Sequence, residues 1–515
     1  MKTSSILLAL PYLSPLVLQA QERPNIILFL VDDMGWQDTS VPFWNNQKTP
    51  LNERFHTPNM ERLAAMGVRF TSAYACAISS PTRCSLMSGM NAAKHRVTNW
   101  TLVYDKKTDA PSEKISFPDW NYNGIQPDTV RSAHNTKNTM PVTTLPQLLR
   151  QNGYYTIHCG KAHFGAMTTA GANPLNMGFD VNIAGGANGA PASYLGTENF
   201  GKGNMHVNSL EAYYGKDIFL SEALTLEAIK ALKTPIDKKQ PFYLYMAHYA
   251  VHIPYSKDKR FFDNYYEKED AALGGNKLNS NEACYAALIE GMDKSLGDLM
   301  DFIQKENIAD NTVILFMSDN GGEANGPRQG KWFVQNAPAQ AGKGSSYEGG
   351  IREPMIVSVP GMTKGGTTND NPVIIEDFFP TILEMAKIKN YKTVQSVDGK
   401  SFYPLLENPK KKRSRTLFWH FPNLWGEIQD RKFGYGAYSS VLKDGFKLIY
   451  FWETQEKRLF NIKEDIGETH NLVTENPRKA KELEKTLSKY LKKCNAQRPS
   501  LRSNGELIPY PDGSR

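Results

Sequence analysis

Between residues 25 and 31 the chain reads Asn-Ile-Ile-Leu-Phe-Leu-Val and then stops abruptly at Asp32-Asp33. An apolar run without alternation predicts a strand covered on both faces, as in a parallel sheet. Comparable runs occur at 154–159, 241–247 and Thr312–Ser318, the last ending in Asp319-Asn320. Helical patterns lie between them. Thr57 reads as an N-cap, Pro58 as the first helical position and Gly67 as the stop. A second such unit covers 144–153, and 221–233 reads as a third helix. Leu288, Met292, Leu296, Leu299 and Ile303 recur at helical spacing and place one apolar face on a helix over about 281–305. Strand alternating with helix predicts an α/β domain, a large and mainly parallel sheet sandwiched by helices.

Past Pro380 the texture changes to short aromatic strands, Thr416–Phe421 and 446–452. A final helix is predicted over 476–493, with Leu483, Leu487 and Leu491 on one face. The expected division is a catalytic domain at 21–400 and a smaller C-terminal α+β subdomain at 401–515. The run Lys410-Lys411-Lys412-Arg413 reads as a solvated loop.

The first twenty residues pair Lys2 with an apolar stretch over 6–18 and a small residue at Ala20. They are expected to be a signal peptide cleaved near Ala20, with the protein exported to the periplasm. Pro11 and Pro15 interrupt a run already short for a membrane anchor. No other stretch has the length of a membrane span. Across 515 residues, 60 Lys plus Arg oppose 53 Asp plus Glu, an excess of +7 that suits an anionic substrate without calling for nucleic acid. Five cysteines at this length exclude a disulfide scaffold.

The chemistry gathers at strand ends. Asp32-Asp33, Lys161 with His163, His252, and Asp319-Asn320 each follow an apolar run, so a doubly wound sheet would bring them to one rim. Three carboxylates and an amide are hard oxygen donors suited to calcium or magnesium. No Cys and His set has zinc spacing.

Ser79-Ser80-Pro81-Thr82-Arg83, continuing Cys84-Ser85-Leu86-Met87-Ser88-Gly89, completes the picture. It resembles the signature of the formylglycine-dependent (type I) sulfatases of the alkaline phosphatase superfamily, in their serine form. The resemblance continues in order through the rest of the chain. It takes in Gly160-Lys161-Ala162-His163, His252 before Ile253-Pro254, Ser318-Asp-Asn-Gly-Gly322, the segment 342–352, Asp398-Gly-Lys-Ser401 and 459–468. Thr82, Ser88 and Met90 depart from the usual pattern, and Met90 stands where an Arg commonly closes the signature. Lys94 or Arg96 could return that charge.

The resemblance implies an exo-acting bacterial carbohydrate sulfatase that hydrolyses sulfate monoesters on glycans such as sulfated galactose or N-acetylhexosamine. It implies a Ca2+ ion held by Asp32, Asp33, Ser79, Asp319 and Asn320. Ser79 would be oxidised to formylglycine (3-oxoalanine) by a maturase. One hydroxyl of the aldehyde hydrate would attack sulfur, and the other would let sulfate leave without a second attack there. Arg83 would orient the hydrate, Asp319 deprotonate it, and His163 take the proton whose loss expels sulfate. Lys161, Lys343 and His252 would surround the sulfate, with His252 or Lys343 protonating the departing oxygen. His420, Trp419 and Trp332 are candidate sugar contacts against a competing reading as core or loop anchors. Glu348 and Arg352 read as a structural ion pair. The stretches 100–125 and 185–208 read as loops that shape specificity. Two alternatives stay open: a phosphatase or phosphodiesterase of the same superfamily with Ser79 unmodified, and an inactive glycan-binding homologue.

Overall fold

The computed structural model describes residues 23–130, 136–324, 326, 328–426 and 430–515; the expected signal peptide lies outside them. Strand β1 (Asn25–Val31) has every residue buried. Ile26, Leu28 and Leu30 pack into one core and Ile27, Phe29 and Val31 into another, so both faces of the strand are covered. That is why its sequence lacks alternation. Each side chain buried this way contributes about 1.5–3 kcal/mol.

Among the described residues the largest sheet has nine strands. The other eight are β2 (Val68–Tyr74), β3 (Tyr155–Gly160), β4 (Val181–Ile183), β5 (Phe242–Ala247), β6 (Thr312–Ser318), β7 (Arg352–Ser358), β8 (Thr367–Asn369) and β9 (Val373–Ile374). Their spatial order is β8-β2-β7-β6-β1-β5-β3-β4, with β9 also pairing with β2. All pairings are parallel except those of β7, which runs antiparallel to both β6 and β2. The carboxyl ends of β1, β3, β5 and β6 therefore share one rim.

Helix α1 (Pro58–Met66) begins where the sequence predicts, but Thr57 does not cap it with its side chain. Its hydroxyl instead meets those of Thr39 and Ser40, each at 2.8 Å. Helix α2 (Ser79–Ser88) is buried at all ten positions. Helix α3 (Leu145–Gln151) carries a capping box between Thr144 and Gln147. Helix α4 (Leu220–Asp237) outruns its predicted end and continues through Pro235. Helix α5 (Ser280–Lys305) is capped by Asn279 and buries the predicted apolar face. No helix among the described residues is long and apolar enough to cross a membrane.

A second sheet is antiparallel: β10 (Thr416–Phe421), β11 (Tyr438–Lys443), β12 (Phe446–Phe451) and β13 (Lys457–Asn461). Helix α6 (Pro477–Lys493) lays Leu483, Leu487 and Leu491 against Val441, Leu448 and Leu459 on this sheet. Leu417, Trp419, Ile449 and Phe451 join the core of the large sheet. Glu348 and Arg352 form the expected ion pair at 2.7 Å, and Lys447 of β12 joins it at 2.8 Å. In the basic run Lys410 and Lys411 are exposed, whereas the Arg413 side chain is only 21% exposed and donates to the Ser401 carbonyl.

Candidate active site

The aspartates and Lys161 on the shared rim are each placed by the strand end before them. Asp32 and Asp33 follow β1, and Asp33 takes a left-handed backbone (φ 61°). Asp319 and Asn320 follow β6, with the Asp319 amide donating to the Val31 carbonyl at 2.9 Å. Gly160 closes β3 at φ +105°, and a Cβ there would lie 1.9 Å from the Ala247 carbonyl oxygen. Only glycine fits, and the next residue, Lys161, is thereby delivered to the rim.

Ser79 is the first residue of α2 and 4% exposed. Its Oγ lies 3.0 Å from Asp32 Oδ1, 3.2 Å from Asn320 Oδ1 and 2.9 Å from Lys161 Nζ. The Lys161 ammonium also donates to both Asp32 oxygens, at 2.8 and 2.7 Å. One turn along α2, Arg83 reaches Asp319 Oδ2 at 2.8 Å and donates to the Lys161 carbonyl and the Tyr245 hydroxyl. On the other flank Lys343 donates to Asp33 Oδ2 at 2.7 Å, His252 Nε2 stands 3.6 Å from that oxygen, and Asn320 Nδ2 donates to Asp33 Oδ1. Asp32, Asp33, Ser79, Arg83, Lys161, His252, Asp319, Asn320 and Lys343 thus form one contact network.

Burial and the Asp319 carboxylate push Asp32 up to about 8 against the pull of Lys161. Burial also works on Asp33, but Lys343 and His252 outweigh it and hold that carboxyl well below its usual range. His252 is pulled down to about 3 by burial and by Lys343. Oxygens of Asp32, Asp33 and Asp319 all lie within 4.8 Å of one another. Three buried carboxylates this close repel each other, and a hard dication with Asn320 as a neutral fourth donor relieves that repulsion. The donor set fits calcium.

His163 stands beside this network. Its Nε2 meets the Thr101 carbonyl at 2.8 Å, which makes Nε2 the protonated nitrogen. Nδ1 then carries the lone pair and is buried without a hydrogen-bond partner. His420 is not brought to the cluster. It lies on β10, 3% exposed, with Nδ1 2.7 Å from Ser439 Oγ and its ring against Trp452, so it packs the small sheet. Trp419 is likewise buried, donating to the Ala75 carbonyl. Trp332 is 56% exposed with its edge toward Phe333. Neither Lys94 nor Arg96 replaces the charge missing at Met90. Lys94 pairs with Asp398, Arg96 donates to the Asn495 carbonyl, and Met90 sits in the core. The sequence reading passes over Glu323, which is 9% exposed and raised to about 7 by burial, with Lys343 pulling it down and Asp33 pushing it up. Its only signal is its place directly after Gly322.

Residues 24–388 match the family described as Sulfatase. The chain belongs to the sulfatase family. Residues 342–497 of this sulfatase also match the family described as N-sulphoglucosamine sulphohydrolase, C-terminal. A protein named Sulfatase from Formosa agariphila is 28% identical over 568 residues, covering 99% of this chain and 97% of its own. The N-acetylgalactosamine-6-sulfatase of Mus musculus is 29% identical over 433 residues, covering 81% and 72%. Among solved structures, Ps i-CgsB in complex with k-i-k-neocarrahexaose superposes with a TM-score of 0.67 at 25% identity, over 91% of this chain and 93% of that one. The PsFucS1 sulfatase from Pseudoalteromonas sp. gives 0.65 at 19% identity, over 92% and 91%, and shows the shared fold. The sulfatase is accordingly a sulfuric ester hydrolase with a mostly parallel central sheet and a smaller C-terminal part.

Proposed function

We propose that this sulfatase is exported and removes sulfate from a saccharide, with Ser79 matured to formylglycine and calcium held by Asp32, Asp33, residue 79, Asp319 and Asn320. The observation that carries the reading is the position of Ser79 Oγ, within 3.2 Å of Lys161 Nζ, an Asp32 oxygen and an Asn320 oxygen. When bound, calcium would offset the carboxylate charge and polarise a sulfuryl oxygen. An aldehyde hydrate at residue 79 would supply two hydroxyls on one carbon, one to attack sulfur and one whose deprotonation releases sulfate.

The chain's own residues do the rest. Lys161 donates to the oxygen of residue 79 and fixes it toward Asp32. Arg83 holds Asp319, the base for the attacking hydroxyl, in one orientation through a buried ion pair. Lys343 occupies the opposite flank beside His252, where its ammonium meets a sulfuryl oxygen as a fixed positive charge and can protonate the departing oxygen. The His252 Nδ1 hydrogen bond to the Ile253 carbonyl turns Nε2 toward the site. His163 offers its unpartnered Nδ1 lone pair to the second hydroxyl. A saccharide substrate is supported by the relatives' names and by the oligosaccharide bound in one structural neighbour. A two-metal phosphatase would need further ligands, and among the described residues one group of potential metal ligands occurs.

Mass spectrometry of the Ser79 peptide from the native host tests the reading, together with sulfate release from galactose, N-acetylgalactosamine and N-acetylglucosamine sulfates. The expected result is loss of two hydrogens at residue 79 together with free sulfate. An unmodified serine with phosphate-ester turnover overturns it.

A further inference from the structure

We propose that the Trp425 indole is the platform on which the ring of the sulfated sugar stacks, an inference that rests on the saccharide reading above. Trp425 lies just past the end of β10 and is half-buried. Lys343 Nζ is 5.6 Å from its ring centroid, and the same ammonium is 2.7 Å from Asp33 Oδ2. The indole therefore stands roughly one sugar ring away from the place where the sulfate group meets its cations.

The backbone is shaped to admit it. Gly344, next to Lys343, has φ +88°, and a Cβ there would lie 2.3 Å from the indole Cε3. Any larger residue would displace the ring, so the chain gives up a side chain beside a catalytic candidate in order to seat a tryptophan. The segment before Trp425 is clamped to the loop that leads into the site. The Leu424 carbonyl accepts from the Ala110 amide at 3.0 Å and from Asn99 Nδ2 at 3.3 Å. Thr98 donates to Asn423 Oδ1 at 2.6 Å, and Asn423 Nδ2 and Asn99 Nδ2 both donate to Asp109 Oδ1 at 2.9 Å. Two residues past Asn99, the Thr101 carbonyl fixes His163. The indole and the His163 imidazole are thus mounted on one hydrogen-bonded scaffold.

The chemistry of the pair selects its ligand. An aromatic surface packs against the C–H face of a pyranose, while the adjacent ammonium takes the sulfate. Trp332, though more exposed, has its ring against Phe333.

The experiment is steady-state kinetics on matured enzyme, using the galactose or N-acetylhexosamine sulfate that the wild type turns over. Trp425→Ala is expected to raise KM about tenfold with a much smaller change in kcat, and Trp425→Phe to recover most of the loss. Trp425→Leu keeps apolar bulk over Gly344 and is read in the same way if the alanine variant does not fold. Wild-type turnover with an unchanged KM in the Ala and Leu variants overturns the platform alone. A matured wild type that releases sulfate from none of these sugars overturns the saccharide reading instead.

Discussion

The Arg83 guanidinium meets a single oxygen of Asp319 twice, with Nε and Nη2 each 2.8 Å from Oδ2. Both side chains are fully buried, so neither charge has water to fall back on. Replacing Arg83 by Met leaves the Asp319 carboxylate uncompensated and is expected to cost about 3–5 kcal/mol of stability. Arg83→Lys restores charge without the fork and should recover part of the stability but little turnover. Thermal unfolding of the two variants checks this. Equal stability of Arg83→Met and the wild type would refute the pairing.

Asp319→Ala removes one of three carboxylates from the cluster and frees Arg83. Calcium affinity measured by calorimetry is expected to fall at least about 100-fold, with turnover lost alongside. Undiminished calcium binding would remove Asp319 from the metal site.

On β12, Lys447 stands between two buried carboxylates, 2.8 Å from Glu348 and 2.6 Å from Glu468. Lys447→Met should destabilise by about 3–5 kcal/mol by leaving Glu468 without its cation, while Glu348 keeps Arg352. The Ser79 cluster is untouched by this change, so kcat per folded molecule should stay near wild type. Denaturant melts paired with active-site titration separate the two quantities.

Glu376 carries the pH prediction. Burial first, then neighbouring Asp377, pushes its carboxyl from 4.5 up to about 8. Folding therefore takes up a proton between those values, and stability from this group, complete below pH 4.5, is lost as pH rises toward 8. Glu376→Gln cannot ionise. Between pH 5 and 9 its unfolding free energy should gain on the wild type by on the order of 3–5 kcal/mol. Urea titrations at the two pH values read the difference, and parallel curves would contradict it.

How much of this was legible in sequence depends on what made each signal. Asn25–Val31 and Thr312–Ser318 are found at their predicted bounds because burial on both faces leaves an uninterrupted apolar run. Asp32, Lys161 and Asp319 converge because parallel strands end on one rim, which is a property of topology and so readable from order alone. His420 fails because a histidine on an aromatic strand reads alike whether it faces a ligand or, as here, Ser439. Trp425 gave no signal, since its place beside Lys343 depends on a clamp between segments more than 300 residues apart. Thr57 has a capping residue's identity, but two nearby hydroxyls compete for its oxygen.

Helix α2 lies wholly inside the fold, and Ser79 at its head is 4% exposed. A second enzyme cannot thread a substrate peptide out of such a place without first undoing the sheet around it. If residue 79 is oxidised as proposed above, the chemistry has to reach that segment while it is still an open chain. On that reading, slower closure of the core would lengthen the time in which residue 79 can be reached without changing a single contact in the finished site.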